Sequence, residues 1–206
     1  MPRAKDLKMM KCTVQNYKRS INESSFSTEQ ISMIWDFYVT KSVASTASQK
    51  RTASDYDLKQ FPFKKMLEAA AISDDNYHIL MADRIPKTLE ITGLRISGDK
   101  GVPIPIEIET PRFALIMGYS ISDNDEPKPR DNCSKPECLL THIRNALAYG
   151  NTYFFENGNL LLEDKNKSNT TAMILIRQKT LLDWIKLIDH KEKFYRIINT
   201  AMESEE

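Results

Sequence analysis

A change of residue pattern at Gly150 restricts the fold of this 206-residue chain more than any other feature of its sequence. Before Gly150, apolar residues recur at helical spacing; after it, two apolar runs, 152–155 and 160–162, flank the tetrapeptide ENGN. Asn-Gly between two apolar runs predicts a β-hairpin, because both turn positions favour positive φ. A third strand-like run follows at 171–176. We therefore expect a helix that leads directly into a small β element.

Helical periodicity dominates the rest of the sequence. Ser27 and Gln30 have the spacing of a capping box, and Ser134 and Glu137 repeat that spacing. The apolar pattern predicts helices over 28–47, 61–72, 74–80, 88–94, 112–119, 138–150, 181–188 and 194–198. The predicted fold class is therefore mainly α, a helical bundle with a small β-hairpin or sheet element between the helix at 138–150 and the C-terminal helices.

We expect residues 1–206 to form a single domain. Residues 1–25 are basic and polar with a weak helical pattern, and we interpret them as an N-terminal extension. Residues 121–137 have no core pattern and predict a long polar loop, and 45–57 predict a solvated connection. The alternation of isoleucines within 104–108, next to prolines, predicts an extended edge segment.

Composition limits the classes of function. Apolar residues make up 41% and charged residues 28%, which is typical of a globular protein rather than a disordered chain. The net charge of +1 provides no global basic field, so any RNA contact must come from a local cluster. No apolar run has the length of a membrane span or signal peptide, and three cysteines fit reduced thiols. We therefore expect a cytoplasmic protein without membrane partners.

Few side chains are available for metal binding or acid-base chemistry. Cys133, Cys138 and His142 resemble part of a zinc set, but a structural zinc site needs a fourth ligand and usually tighter spacing. We expect no metal and no cofactor. His142 is interpreted as a helix-packing histidine and, secondarily, as a substitute base. Asp164 is interpreted as the end of a strand.

The helix predicted over 138–150, here called the motif helix, has one apolar stripe between two polar edges at about 100° per residue. The stripe contains Leu139, Ile143, Ala146 and Leu147, one edge contains His142, Asn145 and Tyr149, and the opposite edge contains Arg144. Such a helix packs its stripe against a partner and leaves its polar groups at the rim of the contact. Trp35 and Trp184 lie on apolar stripes of other helices and are predicted to be core residues.

Arg144 and Asn145, three further residues, position 149 and then Gly150 resemble the signature of the HEPN superfamily (higher eukaryote and prokaryote nucleotide-binding). That signature is Arg, usually Asn, three variable residues and His, on a helix of an α-helical bundle. The strings LLTHIRNALAYGN, LLEDKN and TLLDWIKLI are similar to stand-alone bacterial HEPN proteins associated with plasmids and phage defence. The resemblance covers about residues 110–190.

The resemblance implies a metal-independent endoribonuclease that works as a homodimer, with Arg and His facing each other across a two-fold axis. Arg144 would bind and polarise the phosphate, because a guanidinium is a permanent cation whose fork matches phosphate oxygens. Asn145 would orient its neighbours, and position 149 would exchange protons with the ribose 2′-hydroxyl or the leaving oxygen. The product would be a 2′,3′-cyclic phosphate.

Tyr149 departs from the signature at the catalytic position. Tyrosines titrate near ~10 and histidines near ~6.5, so a tyrosine is a poor base at neutral pH. Loss of general acid-base help typically costs ~10²–10⁴-fold in rate. We therefore expect a toxin or anti-phage endoribonuclease effector that is disabled by Tyr149.

Two other functions remain open from the sequence. One is a non-catalytic pseudo-nuclease that binds RNA, a nucleotide or a partner protein; the other is a purely structural dimerisation subunit. The expected partners are RNA, a second copy of the chain and a cognate antitoxin or regulatory protein. RNA cleavage after Tyr149→His separates the first interpretation from the second, and RNA binding separates both from the third.

Overall fold

A β-sheet organises the fold in the computed structural model of the chain. The structure describes residues 10–14, 17–58, 60–72, 77–80, 106–110, 114–117, 120–121, 127–128, 134–166 and 169–189. Helices pack against this sheet, so the described part of the chain is an α+β fold. The prediction of a mainly α helical bundle of HEPN type is wrong, because strands predicted as a small insertion belong to a sheet that runs through the core.

Ten strands are present among these residues. They are β1 (Met10–Val14), β2 (Tyr17–Lys18), β3 (Tyr77–Leu80), β4 (Ile106–Thr110), β5 (Ala114–Met117), β6 (Ser120–Ile121), β7 (Pro127–Lys128), β8 (Thr152–Phe155), β9 (Asn159–Asn166) and β10 (Asn169–Arg177). The main sheet has the order β2-β8-β9-β10-β5-β3. Its strands pair antiparallel, except that β3 runs parallel to β5. The pairs β1-β4 and β6-β7 form separate ladders.

The helices of the described residues are α1 (Thr28–Trp35), α2 (Phe63–Ala69), α3 (Lys135–Ala148) and α4 (Thr180–Ile188), with a short 3-10 turn at Ile21–Glu23. The motif helix predicted over 138–150 corresponds to α3, which begins earlier, at Lys135, and ends at Ala148. Both predicted capping boxes are confirmed: the backbone N–H of Gln30 donates to Ser27 Oγ, and that of Glu137 donates to Ser134 Oγ. In each box the longer side chain also accepts from the backbone N–H of its serine, so two local donors are satisfied at each helix start.

The helix predicted over 28–47 is shorter in the structure. The α-helical part ends at Trp35 and continues as a π-helical turn, Asp36–Thr40, which is closed by the backbone bond from Lys41 N to Asp36 O at 2.8 Å. Beyond it, Ser42 Oγ accepts from the backbone N–H of Ala44 at 3.2 Å. A serine that bonds the following backbone competes with helix continuation, which accounts for the early end.

Two predicted helices are strands. The segment predicted as a helix over 112–119 contains β5, and the described part of 74–80 is β3. A short apolar run fits a buried strand and a buried helix equally well, so periodicity alone does not separate them. In β5, Leu115 and Met117 are fully buried, and the strand lies between β10 and β3.

Several predictions for the less regular segments are also resolved. The described part of the extended segment, from Ile106, is confirmed as a strand that pairs with β1, and the helical pattern around Met10 is wrong. Parts of 121–137 form the ladder β6-β7 and the start of α3. The helices predicted over 88–94 and 194–198 lie outside the described residues.

The hairpin and the closing helix are confirmed. β8 and β9 pair antiparallel around the turn, and β10 adds to β9 as the third strand. Gly158 alone takes the left-handed conformation in this turn, with φ of 81°. Asn157 instead accepts the backbone N–H of Asn159 on its side-chain oxygen at 3.0 Å. An Asx turn therefore replaces the expected pair of positive φ values.

The apolar stripe of α3 is buried inside the chain. Leu139, Ile143, Ala146 and Leu147 are each at most 4% exposed and belong to one core cluster. Their neighbours are the π-helical turn and β9, so this stripe is covered without a second copy of the chain. In the same core, Trp184 of α4 donates its indole N–H to the carbonyl of Met66 at 2.8 Å. Within the described ranges, no helix has the length and hydropathy that a membrane crossing requires.

Candidate functional site

The end of α3 is fixed by backbone hydrogen bonds. Gly150 has φ of 67°, and Asn151 N donates to Ala146 O at 2.9 Å, as in a Schellman motif. Tyr149 N donates to Asn145 O at 3.0 Å, so the backbone at position 149 belongs to the last helical turn. The side chain of Tyr149 is 64% exposed. The sequence Tyr-Gly-Asn therefore ends the helix and presents the side chain of position 149 to solvent.

Asn145 is held on both sides of its amide. Its Nδ2 donates to Asp164 Oδ2 at 3.0 Å, and its Oδ1 accepts from Arg144 Nη1 at 3.1 Å. Asp164 lies on β9, the strand that contacts α3 most extensively. The amide thus links the arginine of the motif to a buried carboxylate across the helix–strand contact.

Arg144 is less accessible than the sequence indicated. It is 9% exposed, and its Nη2 donates to the carbonyl of Thr46 at 2.9 Å. Its Nε is buried without a hydrogen-bond partner in the described part of the chain. The guanidinium carbon lies 5.7 Å from the ring centroid of Tyr149. The structure therefore brings Arg144, Asn145 and Tyr149 together at one end of α3, although Arg144 and Tyr149 occupy different flanks of the helix.

His142 connects the helix to the same carboxylate. Its Nδ1 lies 2.7 Å from Asp164 Oδ2, and its Nε2 lies 3.6 Å from Cys138 Sγ. The side chains of His142 and Asp164 are 9% and 7% exposed. Sequence reasoning did not assign Asp164 to the site. Strand alternation places Asp164 on the same face of β9 as Leu160 and Leu162, and its bonds to His142 and Asn145 show that this face meets α3.

The imidazole of His142 lies between the thiol of Cys138 and the carboxylate of Asp164, so the three groups form a line and do not surround a common point. The thiol and the carboxylate occupy opposite nitrogens of the imidazole, so the three groups do not converge on one ion. Among the residues that the structure describes, no group of three or more His, Cys, Asp or Glu side chains is arranged to hold a metal. Cys133 lies outside the described residues.

The order thiol, imidazole, carboxylate is also the order found in nucleophilic active sites. Such a site needs space beside the thiol for a reacting carbonyl group. Cys138 is 5% exposed, and its imidazole neighbour is 7% exposed. We therefore interpret this line of side chains as an internal connection that fixes α3 to β9 and orients Asn145 through Asp164.

A groove of about 820 Å³ lies on another side of α3. Its walls are Arg19, Ser20, Ile21, Asn22, Ile31, Ser32, Trp35, Asp36, Thr40, Leu147, Ala148, Gly150 and Thr152. Trp35 is 42% exposed, so the prediction that it is a core residue is wrong, whereas the same prediction for Trp184 is confirmed. The sequence pattern assumed an uninterrupted α-helix and did not anticipate the π-helical turn that follows Trp35.

Arg19 closes the groove beside the end of α3. Its Nη2 donates to the carbonyl of Gly150 at 3.0 Å, and its guanidinium carbon lies 4.4 Å from the ring centroid of Tyr153. Burial raises the pKa of the Tyr153 hydroxyl, and the nearby Arg19 charge partly opposes that rise. Sequence reasoning did not identify Arg19, because its neighbours in space come from residues more than 130 positions later.

No protein-family model, curated protein or solved structure matches the chain. The relationship to the HEPN superfamily therefore stays a prediction from the motif. The same applies to the expected partners, the homodimer and the cytoplasmic location.

Proposed function

We propose that the end of α3 is a ribonuclease-type phosphate site whose cleavage chemistry is disabled by Tyr149. The observation that carries the proposal is the distance of 5.7 Å between the Arg144 guanidinium carbon and the Tyr149 ring centroid. A largely buried, fixed cation and an exposed side chain at the proton-transfer position are then neighbours. This is the arrangement that a phosphodiester needs for cleavage by the 2′-hydroxyl.

Each motif residue has a distinct role in this proposal. The guanidinium of Arg144 stabilises the charge that develops on the phosphate oxygens. Asn145 fixes Arg144 through its Oδ1 and is itself anchored by Asp164. Position 149 is open to solvent, so a substrate reaches it without rearrangement of the core.

With histidine at 149, the imidazole removes the proton of the ribose 2′-hydroxyl, and the 2′-oxygen attacks the phosphorus. The bond to the 5′-oxygen breaks, that oxygen takes up a proton, and a 2′,3′-cyclic phosphate remains. Tyrosine fills the same position without a group that exchanges protons near neutral pH. In this proposal the active form is an effector of toxin or anti-phage type and works as a homodimer.

The test is RNA cleavage by purified Tyr149→His beside the chain as given, in EDTA, with total cellular RNA as substrate. We expect a rise of ~10²–10⁴-fold in the cleavage rate, which is the usual contribution of acid-base catalysis. Tyr149→Phe is the matched control for loss of the hydroxyl, and Arg144→Ala added to Tyr149→His should remove the activity. If Tyr149→His cuts no faster than Tyr149→Phe, the ribonuclease proposal fails.

A second candidate is a binding module that has lost the chemistry. It is favoured by the burial of Arg144 and by the bonds that occupy two of its nitrogens within the chain. In that case, Tyr149→His leaves RNA intact while the unmodified chain still binds it. A structural dimerisation subunit predicts no RNA binding by either form, so filter binding with labelled RNA separates the two.

A further inference from the structure

Two exposed aromatic side chains flank the end of α3. Trp35 and Tyr149 are the large apolar side chains exposed among the described residues, at 42% and 64%. Trp35 forms part of the groove wall, and the neighbours of Tyr149 in the chain, Ala148 and Gly150, line the same groove. The groove and the proposed phosphate site thus share the last turn of one helix.

Trp35 lies at the junction of two kinds of helix. It is the last residue of α1, and the π-helical turn that begins at Asp36 rotates the side chains that follow it. Ile34, Phe37 and Tyr38 are at most 4% exposed, while Trp35 faces outward. π-Helical turns occur frequently at functional sites, and here the turn directly follows an exposed indole.

The groove combines that indole with polar groups on its other walls. Asn22 and Thr40 line it and carry donors and acceptors for hydrogen bonds. Asp36 also lines it, but its charge is balanced by Lys41 Nζ at 2.5 Å. Arg19 remains exposed and uses one Nη2 bond to Gly150, which leaves guanidinium donors for a ligand. A volume of about 820 Å³ lies within the usual range for small-ligand pockets.

We propose that this groove binds one unpaired nucleotide of single-stranded RNA, with the base stacked on Trp35 and its phosphate directed toward Arg19. The choice of RNA rests on the proposed function of the adjacent site. Aromatic faces and a nearby cation are the elements that bind single strands, because every base has a π face and every linkage a charge. A base in a duplex is already stacked and paired, so the groove discriminates against double-stranded RNA.

Intrinsic fluorescence tests the proposal on the unmodified chain. Trp184 is fully buried and Trp35 is 42% exposed, so a stacked base quenches mainly Trp35. We expect saturable quenching by adenosine monophosphate and, more tightly, by a ten-nucleotide single-stranded RNA. Ribose 5-phosphate, which has no base, and a duplex of the same sequence should not quench. Equal response to ribose 5-phosphate, or no saturation by any nucleotide, overturns the proposal.

Variants locate the contact. Trp35→Leu keeps an apolar side chain but removes the ring, and it should weaken single-strand binding by roughly 5- to 100-fold, whereas Trp35→Phe should weaken it less. Arg19→Gln should weaken binding of the monophosphate more than that of adenosine. Lys64→Gln is the matched control, because Lys64 is 87% exposed and does not line the groove. Thermal melts of each variant verify folding; unchanged affinity in folded Trp35→Leu contradicts the proposal.

The outcomes also separate this inference from the ribonuclease proposal. Saturable quenching together with inactive Tyr149→His supports the groove and rejects the ribonuclease site. Active Tyr149→His whose RNA affinity is unaffected by Trp35→Leu supports the site and rejects the groove. If the groove instead accepts a second copy, Trp35→Leu lowers the mass measured by sedimentation equilibrium without RNA, and the nucleotide assignment fails.

Discussion

Two sides of α3 differ in whether the polar groups there are bonded within the chain or exposed to solvent. On the side that faces β9, His142 and Asn145 both bond to Asp164, and the side chains of His142 and Asp164 are largely buried. On the groove side, Trp35 is 42% exposed and Arg19 is open to solvent. The side facing β9 satisfies its polar groups within the chain, whereas the groove side leaves an indole face and guanidinium donors exposed to solvent.

Arg144 and Tyr149 lie at the boundary between these two sides. Arg144 bonds to Asn145, which belongs to the buried network, while its guanidinium carbon lies near the exposed ring of Tyr149. The proposed phosphate site therefore depends on the buried side for its geometry and on the open side for access. Perturbing either side separately distinguishes these contributions.

The largest effect on stability is expected from Asp164→Ala. The substitution leaves His142 Nδ1 and Asn145 Nδ2 without their shared acceptor in a buried region. We expect a loss of about 2–5 kcal/mol in the free energy of unfolding, measured by urea denaturation. Glu68→Ala is the control, because Glu68 is 61% exposed and its pair with Lys64 is worth less than about 1 kcal/mol. Equal losses of unfolding free energy in the two variants would show that the hydrogen bonds of Asp164 do not stabilise the contact between α3 and β9.

A smaller effect is expected from Gly150→Ala. No atom lies within 4 Å of the position that a Cβ would occupy, so the cost comes from φ of 67° rather than from a clash. We expect a loss of about 1–2 kcal/mol, the price of a left-handed conformation for a residue with a Cβ. Gly158→Ala, with φ of 81° in the hairpin turn, is the matched control at a distance from α3. If Gly150→Ala alters the quenching of fluorescence by nucleotides and Gly158→Ala does not, the conformation of the helix end determines the shape of the groove.

The smallest effect concerns alkaline pH on the groove side. Burial raises the pKa of Tyr153 in the folded chain, so the neutral hydroxyl is favoured there. The contribution of this hydroxyl to the free energy of unfolding is complete at pH values below its pKa in the unfolded chain, near ~10. It is lost as pH rises through its pKa in the folded chain. We expect Tyr153→Phe to lose less stability than the unmodified chain between neutral pH and pH values above ~10, as followed by urea midpoints. Parallel curves for the two proteins would contradict this assignment.

Local signals predicted their elements correctly. The capping boxes at Ser27 and Ser134 and the hairpin around Gly158 depend on residues within a few positions of one another, and the sequence displays them directly. By contrast, β5 depends on pairing with β10, where Ala114 lies opposite Leu175. No local pattern specifies that partner, so a short apolar run was interpreted as a helix.

In the candidate site, too, features set by nearby residues could be predicted from the sequence, and features set by distant residues could not. The sequence placed Asn145 and Tyr149 on one flank of the motif helix and Arg144 on the opposite flank. The contacts of Arg144 with Asn145 and with the Tyr149 ring within one chain were not predicted. The role of Asp164 depends on the register of β9 against α3, 19 positions from Asn145, and was missed. Helical periodicity was also insufficient for Trp35, because the π-helical turn breaks the spacing on which that prediction relied.

The Schellman end of α3 has a consequence for experiments. The backbone at Tyr149 is fixed by main-chain bonds and by the left-handed Gly150, not by the tyrosine side chain. A substitution at 149 therefore changes the functional group of the side chain while the backbone conformation stays the same. For a site of the proposed type, this is the property of a substrate trap: the tyrosine form retains intact the RNA that the histidine form would destroy. Crosslinking and sequencing of RNA held by the tyrosine form would then read out the target directly.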